Sequence, residues 1–202
     1  VNDTPTAWAM DFAERHGLRL RYETPLPNSV SGYKYDDDED GPVVVLDSAL
    51  PEERQHFALA HEAAHILLGH GGEVEENEER EANLLASELL LPQEDFAPHT
   101  HRSLHELKEW FPHASHEALA RRRLAFVEGV LTIVDNLSVT QRLTSESFSA
   151  PATTSTAEWE VIRQAYDQKS ECEREIEGLR LTATYVATNP AVERVLLFVE
   201  AS

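Results

Sequence analysis

The sequence predicts an α+β fold in two parts. Three observations lead there. Short alternating segments precede a long amphipathic helix, a second helix with an apolar stripe follows it, and strands resume beyond a Ser-, Thr-, Ala- and Pro-rich stretch over residues 145–157.

The elements read in order. A helix is expected over residues 4–16, with Thr4 as N-cap, Pro5 in the first turn and Gly17 after the end. Residues 18–22 alternate as a strand, which Pro25 and Pro27 break. Residues 31–35 and 42–46 read as a hairpin around the acidic tip 36–41. That tip lacks the alternating ligand spacing of a calcium loop and reads as a solvated turn. A helix over 51–68 opens on Pro51, Glu52 and Glu53 and stops at Gly69, Gly71 and Gly72. A second starts in residues 75–77 and ends before Pro92.

A helix–turn–helix-like pair follows, over 103–110 and 115–124. Residues 130–134 and 139–143 read as a hairpin around residues 135–138. Residues 158–177 read as a charged helix, 179–185 as a strand and 195–199 as a buried strand.

Composition narrows the function. At 202 residues, with 41% hydrophobic and 27% charged, the chain is globular and not disordered. Its apolar runs are too short to span a membrane. The first twenty residues carry no long apolar stretch, so no secretory signal is expected. Val1 is not a start methionine, and an N-terminal piece or tag is expected to be missing. The single cysteine, Cys172, fits a reducing compartment. A net charge of -20 repels phosphate backbones and anionic membranes and suits a basic protein partner. All ten histidines fall at or before His116, which places the chemistry in the first half.

That chemistry centres on His61-Glu62-Ala63-Ala64-His65. Residues four apart share a helical face, so both imidazoles can reach one metal ion. Glu62, rotated roughly 100° from His61, stands beside the ion and can take a proton from water held there. Two imidazoles and a carboxylate suit zinc, and manganese also accepts them.

The third ligand must come from Glu73, Glu75, Glu76, Glu78, Glu79 or Glu81. Helical projection selects Glu79, which shares the inward face with Ala82, Ala86 and Leu90, while Glu81 and Glu88 project to solvent. Asn83, one turn on, is a candidate to orient a ligand. Tyr33 and Tyr35 are candidates for an oxyanion or substrate contact. Projection puts His56 and His70 on the solvent side. His99, His101, His105, His113 and His116 read as surface histidines.

The stretch from Arg54 to His70, RQHFALAHEAAHILLGH, resembles the active-site helix of the ImmA/IrrE family of metallopeptidases. Residues 79–92, EREANLLASELLLP, are similar to that family's E-x-x-A-N-x-F-A-x-x-L-L-M-P signature. Leu85 replaces the usual Phe and Leu91 the usual Met. The first glutamate of that signature is a metal ligand in the family and falls on Glu79. The resemblance is strong over residues 40–92 and weaker over 107–124. The tail loosely resembles the family's radiation-response branch, which carries a GAF-like domain there.

The resemblance implies a zincin-like metallopeptidase domain over residues 1–101, a helix–turn–helix-like segment over 102–125 and a C-terminal α+β, GAF-like sensor over 126–202. It implies a cytoplasmic, site-specific endopeptidase holding zinc on His61, His65 and Glu79, with Glu62 as general base. Its substrate would be a helix–turn–helix (XRE-type) transcriptional repressor, cut after DNA damage or other stress or during mobile-element induction. The alternative is a metal-containing regulator that acts by protein–protein binding without proteolysis; an intact Glu62 argues against it. Direct nucleic-acid binding through Arg121-Arg122-Arg123 is not expected, because adjacent helical residues face different sides.

Overall fold

The computed structural model describes residues 5–26, 30–37, 41–71, 75–189 and 192–201. Within them, no helix is long and apolar enough to cross a membrane. The chain divides into two compact units, residues 1–98 with 108–115, and residues 99–107 with 116–202. Of the expected helical pair, residues 116–124 fall wholly in the second unit, and 104–110 are divided after residue 107.

The first unit opens with α1 (Ala7–Arg15). Thr4, the expected cap, lies outside the described residues. Thr6 takes the role, its Oγ1 accepting from the Ala9 N–H at 3.2 Å. Strands β1 (Arg19–Glu23), β2 (Gly32–Asp37) and β3 (Gly41–Asp47) form a sheet in the order β1-β3-β2. β1 runs parallel to β3 and β2 antiparallel to it. Val43, Val44, Val45 and Leu46 of the central strand are fully buried, which explains an apolar run without alternation. Pro27 and residues 38–40 of the acidic tip lie outside the described residues.

Helix α2 (Glu52–Leu67) packs on β2 and β3 and against α3 (Glu76–Leu90). Gly32 marks the tight fit. A Cβ there would stand 3.0 Å from the Val45 carbonyl oxygen and 3.7 Å from Cβ of Ala58 on α2. A short α4 (Gln93–Phe96) and a 3-10 turn (Ala97–His99) follow. Helix α5 (Leu104–Trp110) then begins behind a Ser103–Glu106 capping box.

The second unit holds α6 (His116–Leu124), β4 (Gly129–Asp135), β5 (Ser138–Thr144), α7 (Thr156–Gln168), β6 (Glu171–Ile176), β7 (Leu179–Asn189) and β8 (Val192–Ala201). Its five strands pair antiparallel in the order β5-β4-β8-β7-β6. Two-residue turns close two hairpins, with positive φ at Asn136 and Leu137 and at Glu177 and Gly178. Val161, Ile162 and Ala165 of α7 pack on Val195, Leu197 and Val199 of β8. The alternate residues Phe198 and Glu200 face α6, where Arg123 lies over the Phe198 ring and bonds Glu200.

One element differs from expectation. The helix expected over 158–177 ends at Gln168, where Lys169 adopts a left-handed cap with φ 52°. Residues 171–176 form β6 instead. Their Glu and Arg favour helix, but pairing with β7 and burial of Cys172 prevail. The helix also starts earlier, at Thr156, because Ser155 and Glu158 form a capping box. Arg142 secures the preceding loop, donating to the Pro151 carbonyl at 3.0 Å and to Glu158 at 2.9 Å.

Candidate metal centre

The site is built on two helices. Helix α2 carries acids at its positive end and buries Leu59, Ala60, Ala63 and Ala64. Helix α3 begins with a Glu75–Glu78 capping box and packs through Ala82 and Ala86, both fully buried. Alanines on both helices let the backbones approach closely. Glu79, in the first turn of α3, thus meets His61 and His65 near the end of α2.

The three side chains converge. Nε2 of His61 and Nε2 of His65 are 3.1 Å apart. Glu79 Oε2 lies 3.4 Å from His61 Nε2, and Glu79 Oε1 lies 3.6 Å from His65 Nε2. Tetrahedral ligands at zinc-type bond lengths stand about 3.3 Å from one another, so this donor set fits such an ion. With the hydrogen of each neutral ring on Nδ1, both Nε2 lone pairs face one another at 3.1 Å and are available to a cation.

Glu79 is more open than its helical face implied. Its side chain is 47% exposed, against 4% for His65. The first turn of α3 lies at the edge of the apolar stripe, where the site reaches solvent. Glu62 is half-buried. Burial pushes its carboxyl up to about 7, with the Lys34 charge opposing and Glu79 adding. Burial, followed by the neighbouring His61, holds His65 below the usual imidazole value.

The remaining sequence candidates fall elsewhere. Tyr33 and Tyr35 stack at 6.3 Å and pack on Leu26, Val43 and Val45. Strand alternation puts them on the face of β2 opposite Gly32 and Lys34, away from α2. Asn83 is exposed one turn beyond Glu79.

Three histidines expected at the surface are drawn inward. His56 is 5% exposed and His70 9%. His113 stacks on Trp8 and donates from Nε2 to the Leu90 carbonyl at 3.0 Å. Their partners lie far away in sequence or beyond a helix end, where a single-helix projection carries no information. Lys34 and His70 were missed as neighbours of the site. Lys34 donates to the His70 carbonyl at 2.7 Å, and His70 Nδ1 lies 3.1 Å from His65 Nδ1.

In the second unit, Arg123 is buried against Glu200 and Arg121 pairs with Glu117. The arginine run therefore does not present three cations on one surface.

An H-E-x-x-H helix joined to a glutamate on the next helix, beside a small mixed sheet, defines a mixed α+β protein with a metal-binding constellation. A profile of the IrrE N-terminal-like domain, Peptidase_M78, matches residues 13–125. The chain belongs to that family, which points to a metal-dependent protease or regulator. No curated protein matches the chain. Among solved structures it is similar to a Mycobacterium tuberculosis transcriptional regulator, with a TM-score of 0.69 and 13% identity. That similarity covers 98% of this chain and 71% of the other, and it concerns the fold alone.

Proposed function

We propose that this chain is a metal-dependent, site-specific endopeptidase whose substrate is a helix–turn–helix transcriptional repressor. The observation that carries the reading is the spacing of 3.1 to 3.6 Å among His61, His65 and Glu79, with Glu62 next to His61 on the same helix. His61 and His65 would hold the ion through Nε2, and Glu79 through its carboxylate. Zinc is the ion of choice for this donor set, with manganese second. Bound there, it supplies Lewis acidity that acidifies water and polarises a peptide carbonyl.

Glu62 does the proton transfer. Its carboxyl, raised to about 7 by burial, is matched to accepting a proton from the attacking water near neutral pH. It then returns that proton to the leaving amine nitrogen. The half-exposed Glu79 keeps the site accessible to a chain segment of the substrate.

The first unit supports a zincin-like core, since one helix supplies two histidines and the next a carboxylate. The second unit, with its own sheet and core, supports a separate GAF-like module that would sense the inducing stress, DNA damage or mobile-element signal. The net charge of -20 favours a basic repressor as partner, and the single cysteine suits the reducing cytoplasm as its meeting place.

The experiment pairs the purified chain with helix–turn–helix proteins encoded beside its gene, with mass spectrometry of the products. The wild type should cut one of them at one bond. Glu62→Gln should retain metal and lose that cut. Cleavage by Glu62→Gln at the wild-type rate would overturn the mechanism.

A further inference from the structure

We propose that His70 is a positioning residue for the metal site: its ring accepts a hydrogen bond from Nδ1–H of His65 and so keeps Nε2 of His65 free for the ion. The inference rests on reading His61, His65 and Glu79 as the ligands.

The way α2 ends places His70 there. Gly69, at φ +71°, takes the left-handed conformation that closes a helix. The Gly69 N–H donates to the Ile66 carbonyl at 3.1 Å, and the His70 N–H to the His65 carbonyl at 2.9 Å. These two bonds make a Schellman closure, in which the second residue past the helix end folds back over the residue that accepts its N–H. That contact is usually apolar. Here it joins two imidazoles, with centroids 5.2 Å apart and planes at 64°. Lys34 on β2 donates to the His70 carbonyl at 2.7 Å. His70 is therefore held through its N–H, its carbonyl and its ring.

Hydrogen accounting gives the direction. A neutral imidazole carries one N–H. If His65 carried it on Nε2, it would point at Nε2 of His61 and close the metal position. The hydrogen therefore belongs on Nδ1. That nitrogen sits in a side chain only 4% exposed and needs an acceptor. His70 Nδ1, at 3.1 Å, is that acceptor. The hydrogen of His70 then lies on Nε2, which faces the Glu81 carboxylate at 3.6 Å. Glu81, solvent-facing by projection, thus sets a carboxylate near His70 Nε2, beyond hydrogen-bond distance. Hydrogen-bond partners such as His70 fix the orientation of ligand histidines.

The test is zinc affinity of the full chain, measured by competition with a chromophoric chelator. It uses the wild type, His70→Ala, His70→Asn and, as ligand control, His61→Ala. The wild type should bind one zinc per chain and His61→Ala should lose it. His70→Ala should bind about 10- to 100-fold more weakly. His70→Asn, whose side-chain oxygen stands near the place of Nδ1, should recover most of the loss. Nitrogen-15 NMR of zinc-loaded wild type should show hydrogen on Nδ1 of His65; this readout does not depend on the variants folding. If the wild type takes up no zinc, the ligand reading itself falls. If zinc binds but His70→Ala matches the wild type, only the role of His70 is overturned; if His65 carries its hydrogen on Nε2 with zinc bound, the ligand reading falls together with it.

Discussion

The ring of His113 lies flat on Trp8, with centroids 4.9 Å apart and planes 10° from parallel. His56 approaches the same indole at 4.7 Å. His56 Nδ1–H donates to the His113 carbonyl at 3.0 Å, and its Nε2 lies 2.6 Å from the Thr6 hydroxyl, which can donate to it. His56 is thus satisfied at both nitrogens as a neutral ring, and His113 is held through Nε2 by the Leu90 carbonyl.

A pH dependence follows. Burial is the main force lowering the pKa of each ring, against backbone hydrogen bonds that raise it. Above pH 6.5 neither state gains protons. As pH falls through 6.5 the unfolded chain protonates these rings while the folded chain resists. Stability should therefore fall with falling pH, by up to about 1.4 kcal/mol per pH unit for each ring. Proton NMR should find both rings titrating below 6.5. A ring titrating above that value would contradict the account.

In the second unit, Arg123 Nη2 lies 3.0 Å from both carboxylate oxygens of Glu200 in a buried setting. Arg123→Ala should cost about 3 kcal/mol in urea unfolding, because it strands a buried carboxylate. Arg180, 3.8 Å from Glu200, keeps the loss at the low end. The double change Arg123→Met, Glu200→Leu should recover most of it. A single variant as stable as the wild type would show the pair to be inert.

Glu193 accepts from Lys169, Tyr166 and Tyr185, which hold its carboxyl down at about 2. A depressed carboxylate contributes stability above its unfolded value near 4.5. That contribution is lost as pH falls toward 2. Carbon-detected NMR should follow this titration, and Lys169→Ala should move it upward. A carboxyl titrating near 4.5 in the wild type would mean that the cluster does not form.

Much of the candidate site was legible because its determinants are local. Spacing at i and i+4 pairs His61 with His65, and the apolar stripe of α3 orients Glu79. The residues missed depend on tertiary geometry. His56 and His113 are buried by Trp8, which lies far from both in sequence. β6 was hidden because Glu-Cys-Glu-Arg-Glu-Ile combines helix-favouring residues with strand alternation, and pairing with β7 decides between them. His70 was accessible in principle, since a Schellman closure at Gly69 brings the next residue over His65. As a stop signal the glycines mark only the end of the helix; the contact follows from the left-handed turn at Gly69.

The central claim is a hydrolytic metal site formed by His61, His65 and Glu79. The most direct measurement is metal-edge anomalous diffraction from crystals grown with zinc. The account predicts one strong peak about 2.0–2.1 Å from Nε2 of both histidines and within bonding distance of the Glu79 carboxylate. An ordered triad with no peak between its members, or a peak elsewhere in the chain, would contradict it.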